Sequence, residues 1–204
     1  MTALAAVVTV VAACACAVGD DARPAAEPLN AAPPASASPA AVAERVGAVL
    51  PEPPRGIRLP NGRRVGIRTI GTTRNGLLDV PADIHLAGWW SGGSRLGDPF
   101  GSTLVAAHVD SRTQGLGPFA SLLVVRAGDR VHLWSHGLQQ TFEVTSLRLR
   151  PQGTLGPTSW LHSPEGPRRL TLVTCAGPYD AAQGGYQNLA VITAKPLGRA
   201  GARP

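Results

Sequence analysis

From about residue 57 the chain alternates short apolar runs with turns rich in Gly, Pro, Asp and Asn. The runs fall at residues 65–70, 103–107, 131–134, 140–149, 170–174 and 189–194. Within the fourth, Thr141, Phe142, Glu143, Val144 and Thr145 alternate with period two, the pattern of a strand that buries one face. Ala127-Gly128-Asp129 reads as the turn that feeds Val131. No run keeps a helical period long enough for an amphipathic helix, and no internal repeat is visible. Short strands joined by Gly-rich turns predict a mainly β domain of roughly 145 residues, an antiparallel sandwich or barrel.

Upstream the pattern is different. Residues 1–18 are almost wholly Ala and Val, and the first charge is Asp20. That suits a signal or membrane-anchor segment over 1–19, and three forms of it remain open. Ala15-Cys16-Ala17 resembles a small-residue cleavage site, Val11-Ala12-Ala13-Cys14 resembles a lipobox, and an uncleaved anchor is the third. All three place the rest of the chain outside the cytoplasm, at the cell surface. Residues 20–55 hold eleven Ala and eight Pro in 36 positions, too little apolar surface to offset the entropy of ordering. A disordered linker is therefore expected over 20–56, with a reach on the order of 100 Å if it runs as polyproline-like chain. A short helix over 41–50 would be stopped by Pro51, Pro53 and Pro54. The folded domain is placed at 57–197, with a flexible tail over 198–204.

Composition narrows the class. With 24 Gly and 19 Pro among 204 residues, a helical bundle or coiled coil is excluded, and three Cys are too few for a disulfide scaffold. The formal charge is +6, and every cation except Lys195 is Arg. Residues 20–55 carry three Arg and five acids, so the remaining sixteen cations and eight acids leave the domain at +8. Such a domain is drawn towards anionic surfaces, including a polyanionic envelope; the plain alternative is solubility. No basic tract interleaved with aromatics is present, so a nucleic-acid partner is not expected.

Cys14 and Cys16 belong to the export segment, which leaves Cys175 as the one thiol of the domain. It ends the apolar run Thr171-Leu172-Val173-Thr174 and opens the loop Ala176-Gly177-Pro178-Tyr179-Asp180. A nucleophile at the lip of a rigid strand is well placed for attack, but it needs a proton acceptor, because the thiolate is the reactive form. His108 occupies the matching place after residues 103–107, before Val109-Asp110-Ser111. His85, His132, His136 and His162 read as satisfied or exposed side chains. Asp110 either orients His108 or is a plain turn aspartate. The sparse, unclustered acids and the lack of Cys/His ligand spacing imply no metal and no cofactor.

Thr171 to Cys175 fits the TLxTC motif of sortases, and Ala107-His108-Val109-Asp110-Ser111 resembles their catalytic His segment. Leu78-Asp79-Val80-Pro81 through Gly88-Trp89-Trp90, and Cys175 through Tyr186 to Ala194, are similar to class F (class E/F-like) sortases of actinobacteria. The resemblance covers about residues 57–196. It implies a closed sortase-type β-barrel of about eight strands with short helices and loops. It also implies a cysteine transpeptidase that cleaves an LPXTG-like sorting signal between Thr and Gly, holds a thioester, and passes the acyl group to a peptidoglycan or pilin amine. Cys175 would be the nucleophile and His108 the proton donor to the leaving amine. Implied partners are proteins bearing a C-terminal sorting signal and, through the N-terminal segment, a membrane.

One position departs from that pattern. Where the family carries a catalytic Arg after a Tyr, this chain has Gln187 after Tyr186. Three outcomes stay open. Gln187 substitutes, or Arg148, Arg150, Arg168 or Arg169 reaches in, or the protein is a degenerate relative that binds sorting signals with little turnover. Residues 151–167 resemble the loop that covers the signal groove, and the candidate substrate contacts are Thr174, Trp90, Trp160 and Tyr186. For Trp89, Trp90 and Trp160 a core role competes with that reading. A papain-like peptidase would have Cys before His, and an L,D-transpeptidase would set its Cys in Ser-x-Gly-Cys; neither fits.

Overall fold

The computed structural model describes residues 49–153 and 159–204. The expected export segment (1–19), most of the linker, nearly all of the 41–50 helix and the middle of the 151–167 loop lie outside the described residues. Eleven strands follow one another: β1 (Gly56–Arg58), β2 (Arg64–Ile70), β3 (Leu86–Trp90), β4 (Ser102–Ala106), β5 (Asp110–Ser111), β6 (Gly115–Leu116), β7 (Arg130–Trp134), β8 (Leu138–Pro151), β9 (Arg169–Asp180), β10 (Gly185–Pro196) and β11 (Gly201–Ala202). The six apolar runs read from the sequence coincide with β2, β4, β7, β8, β9 and β10. Strand β1 spans only three residues, too few for a periodic signal.

The main sheet runs β10-β9-β4-β3-β2-β1-β7-β8-β11, and β10 also pairs with β8. That last pairing closes an eight-stranded barrel, so the mainly β, barrel expectation holds. A purely antiparallel sheet does not form: β2 pairs with β3 and β4 with β9 in parallel. Periodicity reports which face of a strand is buried but not which strand lies beside it.

Inside the barrel sit Ile57, Leu133, Phe142, Leu170, Leu172 and Ile192, all fully buried. In β8 the sequence alternation is realised directly, with Phe142 and Val144 buried and Thr141 and Glu143 partly exposed. Strand β4 is buried on both faces. Its outer face carries a second apolar cluster of Leu104, Ala106 and Val173, on which Leu78, Val80, Trp90 and Leu189 pack. A strand wrapped on both sides reads as a continuous apolar run, which is how residues 103–107 appear in the sequence.

The ordered domain reaches further at both ends than boundaries at 57 and 197. Glu52 and Leu96 exchange backbone hydrogen bonds of 2.8 and 2.9 Å. The Glu52 carboxylate accepts from Gly137 N–H at 2.8 Å, which holds its pKa below the ordinary glutamate value. At the other end β11 pairs with the start of β8. Proline-rich composition signals extended chain, and extended chain also serves as a sheet edge. Among the described residues no helix is long and apolar enough to cross a membrane.

A 3-10 helix over Pro118–Val124 plugs the barrel with Phe119 and Leu122, both fully buried. Its entry is tight. A Cβ at Gly117 would lie 2.7 Å from the His108 carbonyl oxygen, 3.3 Å from that of Val109 and 3.4 Å from that of Ile84. These obstacles are backbone atoms, which cannot rotate away. Gly117→Ala is therefore expected to cost about 1–3 kcal/mol of unfolding free energy, the usual range for overpacking. Urea denaturation of the two proteins measures it; an unchanged midpoint would contradict the close packing.

Candidate active site

The parallel pairing of β4 and β9 brings the candidate nucleophile and base together. Ala106 is in register with Val173, and Ala107 N–H still donates to Val173 C=O at 3.2 Å beyond the last paired position. His108 lies two residues past Ala106, and Cys175 two past Val173. Strand side chains alternate, so both leave the sheet on the face already occupied by Ala106 and Val173. Neighbouring strands are about 4.8 Å apart, which makes the two positions direct neighbours at one mouth of the barrel.

Both residues line an open cleft of about 300 Å³, together with Asp110, Arg112, Gln152 and Tyr186. Cys175 is half-buried and free of disulfide. Its sulfur accepts a hydrogen bond from the Gln152 side-chain amide at 3.8 Å. Burial pushes the thiol pKa above its ordinary value; the Gln152 bond pulls it back, and the charge of Asp110 pushes it up again. The resting group at neutral pH is thus the thiol. Tyr186 donates its hydroxyl to Asp110 at 2.6 Å, and this bond, with burial, pushes the phenol up to about 12. Tyr179 packs edge-to-face on Tyr186, with ring centres 5.1 Å apart. Asp110 is therefore bound to a tyrosine and is not a free turn aspartate.

Gln187 stands elsewhere. It is the single β10 residue that faces Gly177 and Pro178 of β9, where the β9–β10 register slips between Tyr186 and Asn188. Its amide nitrogen donates to the Gly185 carbonyl at 2.8 Å, turned back on its own strand. Its backbone carbonyl accepts from the Gln152 backbone N–H at 2.9 Å. Gln187 thus fixes the backbone of Gln152, and Gln152 reaches the sulfur.

The four arginines considered as replacements do not touch the cleft. Arg168 donates to the carbonyls of Gly101, Arg169 and Arg95. Arg169 binds the carbonyls of Trp160, Ser163, Glu165 and Pro167. Both stand at the start of β9, six positions or more before Cys175. Arg148 and Arg150 are exposed on β8, with β10 between them and Cys175. The arginine that does line the cleft is Arg112, in the turn between β5 and β6.

The remaining candidates divide. Tyr186 lines the cleft. Thr174 does not: it is 2% exposed, shares the inward face with Leu172 and Ala176, and its hydroxyl oxygen has no partner among the described residues. Trp90 belongs to the outer apolar cluster and meets His162 edge-on at 5.3 Å. Trp160 is 54% exposed, with the Arg169 guanidinium 5.3 Å above its ring. Trp89 is a core residue whose indole N–H donates to Ser94 C=O. Among the described residues no His/Cys/Asp/Glu cluster suits a metal. Gln152 and Arg112 escaped the sequence reading because neither sits in a motif; their nearness to Cys175 arises only when β5, β8 and β9 meet at one end.

Residues 64–197 match the family described as "Sortase domain". No match was found among curated protein sequences. Solved structures with the same fold include the sortase SrtA from Actinomyces oris, 23% identical, covering 79% of this chain and 89% of that one with TM-score 0.53. Sortase A of Listeria monocytogenes is 17% identical, with 73% and 89% covered and TM-score 0.53. Sortase E1 of Streptomyces coelicolor, solved with a tripeptide in the active site, is 15% identical, with 75% and 91% covered and TM-score 0.54. At such identities the structural likeness is one of fold.

Alkylation by iodoacetamide, followed on the Cys175 peptide by mass spectrometry, reads the thiol directly. Its rate should rise with pH to a midpoint above that of a free cysteine, about 8.5. Removing the carboxylate with Asp110→Asn should lower the midpoint, and Gln152→Ala should raise it. Shifts in the opposite directions would contradict the electrostatics of the cleft.

Proposed function

The chain belongs to the sortase family, and we propose that it is an extracytoplasmic cysteine transpeptidase acting on an LPXTG-like sorting signal. The observation that carries this reading is the shared cleft of Cys175 and His108, just past the end of the parallel β4–β9 ladder. In the proposed reaction His108 takes the thiol proton as the Cys175 sulfur attacks the Thr carbonyl carbon, and an oxyanion forms. The Thr–Gly C–N bond then breaks, and the leaving amine takes a proton from His108. An incoming amine attacks the thioester, returns a proton to His108 and expels the thiolate.

Gln152 fits the role of the neutral donor to the sulfur and to the oxyanion beside it, and Arg112 adds positive charge at the rim. The partly exposed Leu78, Val80, Trp90 and Leu189, which pack on Ala106 and Val173 outside the barrel, suit the Leu and Pro of the signal. Sortases work outside the cytoplasm at the membrane. Residues 1–19 are proposed to hold this one there, and the Ala/Pro-rich linker to let the 57–197 domain and its flanking strands reach outward. The class E/F-like assignment rests on the segments around Leu78, Trp90, Cys175 and Tyr186. The acceptor is proposed to be a peptidoglycan or pilin amine.

A second reading, a relative that binds signals with little turnover, is favoured by one observation. The sulfur is met by a neutral amide, and the amide of Gln187 is turned away from it. Cleavage of fluorogenic LPXTG and LAXTG peptides by the full chain, with and without an added amine, separates the two. Turnover is expected, with a thioester on Cys175 detectable by mass spectrometry when the amine is omitted. Cys175→Ala should abolish both, and Gln152→Ala should slow turnover by about 10²-fold, as loss of one oxyanion donor does. A wild-type chain that binds the peptides and never forms the thioester would support the second reading; full activity in Cys175→Ala would overturn the first.

A further inference from the structure

On the opposite side of the barrel the sheet carries an uncompensated row of positive charge. In the closed order of strands, β1 and β7 lie across from β4 and β9. Arg58 of β1 is directly opposite Arg64 of β2 on one side and His132 of β7 on the other. The residues before and after them in the weave, Ile57, Val65 and Leu133, point into the core, so Arg58, Arg64 and His132 share the outer face. Like charges facing each other across strands destabilise a sheet. A neighbouring row shows the usual remedy: Glu143 stands between Arg130 and Lys195, and Lys195 binds it at 2.9 Å. Among the described residues no carboxylate performs that service for Arg58 and Arg64. Among the described residues Lys195–Glu143 is the one ion pair.

The row forms the floor of a cleft of about 520 Å³, and Arg199 and Arg203 of the C-terminal segment complete its wall. No described residue lining it is acidic. The cleft is built, not left over. Trp134 lies over β1 at Gly56, where any Cβ would strike the indole ring. Arg64 and Arg203 each hold their guanidinium over that ring, at 5.3 and 5.7 Å. Arg203 is fixed further by donating to Ser135 C=O at 3.1 Å. His132 is tied to Thr141 at 2.9 Å, and its pKa is lowered by burial and then by the charges of Arg58 and Arg130.

We propose that this cleft binds a linear phosphate polymer that lies along the Arg64–Arg58–His132 row, away from the catalytic cleft. Guanidinium forks match phosphate oxygens two at a time, and several fixed forks in one groove favour a chain of phosphates over a single ion. The cleft is concave, which suits a polymer strand and not a flat bilayer. Held there, the polymer keeps the Cys175 mouth, across the barrel, open to substrate.

The test uses the full chain in nonionic detergent, titrated with long-chain inorganic polyphosphate. Binding should weaken about tenfold or more between 50 and 200 mM salt, as counterion release requires. Arg58→Gln with Arg64→Gln should weaken it about tenfold while peptide cleavage is unchanged, and Arg203→Gln should weaken it by a smaller factor. Without polymer the double variant should melt about 1–3 °C higher, because the facing charges are gone. By NMR the His132 midpoint should rise when polymer binds. Unchanged polyphosphate affinity in the folded double variant would overturn the proposal. So would equal binding of orthophosphate, of poly-glutamate or of phosphatidylglycerol mixed micelles, each of which names a different ligand.

Discussion

The parallel pairing of β4 with β9 is the constraint on which the rest depends. An antiparallel pair would send the ends of the two apolar runs to opposite mouths of the barrel, and His108 and Cys175 would never meet. Parallel register with Ala106 beside Val173 sends both to one mouth and to one face. The barrel's closure through β8 and β10 then makes that register hard to slip, since every strand between is buried on at least one side. Position, and not an unusual side chain, is what the fold contributes to the thiol.

At that mouth the electrostatics hold the thiol in check. Burial and Asp110 keep the proton on sulfur, and a neutral amide from Gln152 partly offsets them. Tyr186 occupies Asp110 through a short hydrogen bond, so the carboxylate is fixed beside the nucleophile without a formal cation against it. A thiol held protonated in this way resists oxidation and stray alkylation until a partner draws off its proton. Across the barrel the balance is reversed: Arg58 faces Arg64, and among the described residues no carboxylate pairs with either.

The strands, and the placement of His108 and Cys175 at the ends of two apolar runs, were legible in the sequence because they depend on local order. Residues 103–107 and 170–174 end at His108 and Cys175, and each run is apolar enough to be recognised alone. Pairing is not local, so the parallel contacts stayed hidden. Thr174 looked like a substrate contact because it precedes Cys175, but alternation turns it inward. Gln187 looked like a catalytic donor because it fills a familiar slot; its amide is bonded back to Gly185, and Gln152, far away in the chain, meets the sulfur. The short strands β1 and β11 and the ordered stretch at Glu52 escaped for a related reason, since their partners supply the order that their own composition lacks.

The central claim is that the Cys175 sulfur and the His108 imidazole are neighbours in one cleft. A small bifunctional reagent, 1,3-dibromoacetone, bridges a thiol and an imidazole only when they are within a few ångströms. After treatment and proteolysis, mass spectrometry should find the peptide containing Cys175 joined to the one containing His108 through a single acetone bridge. Cys175 alkylated alone, or bridged to His162 or another histidine, would contradict the account.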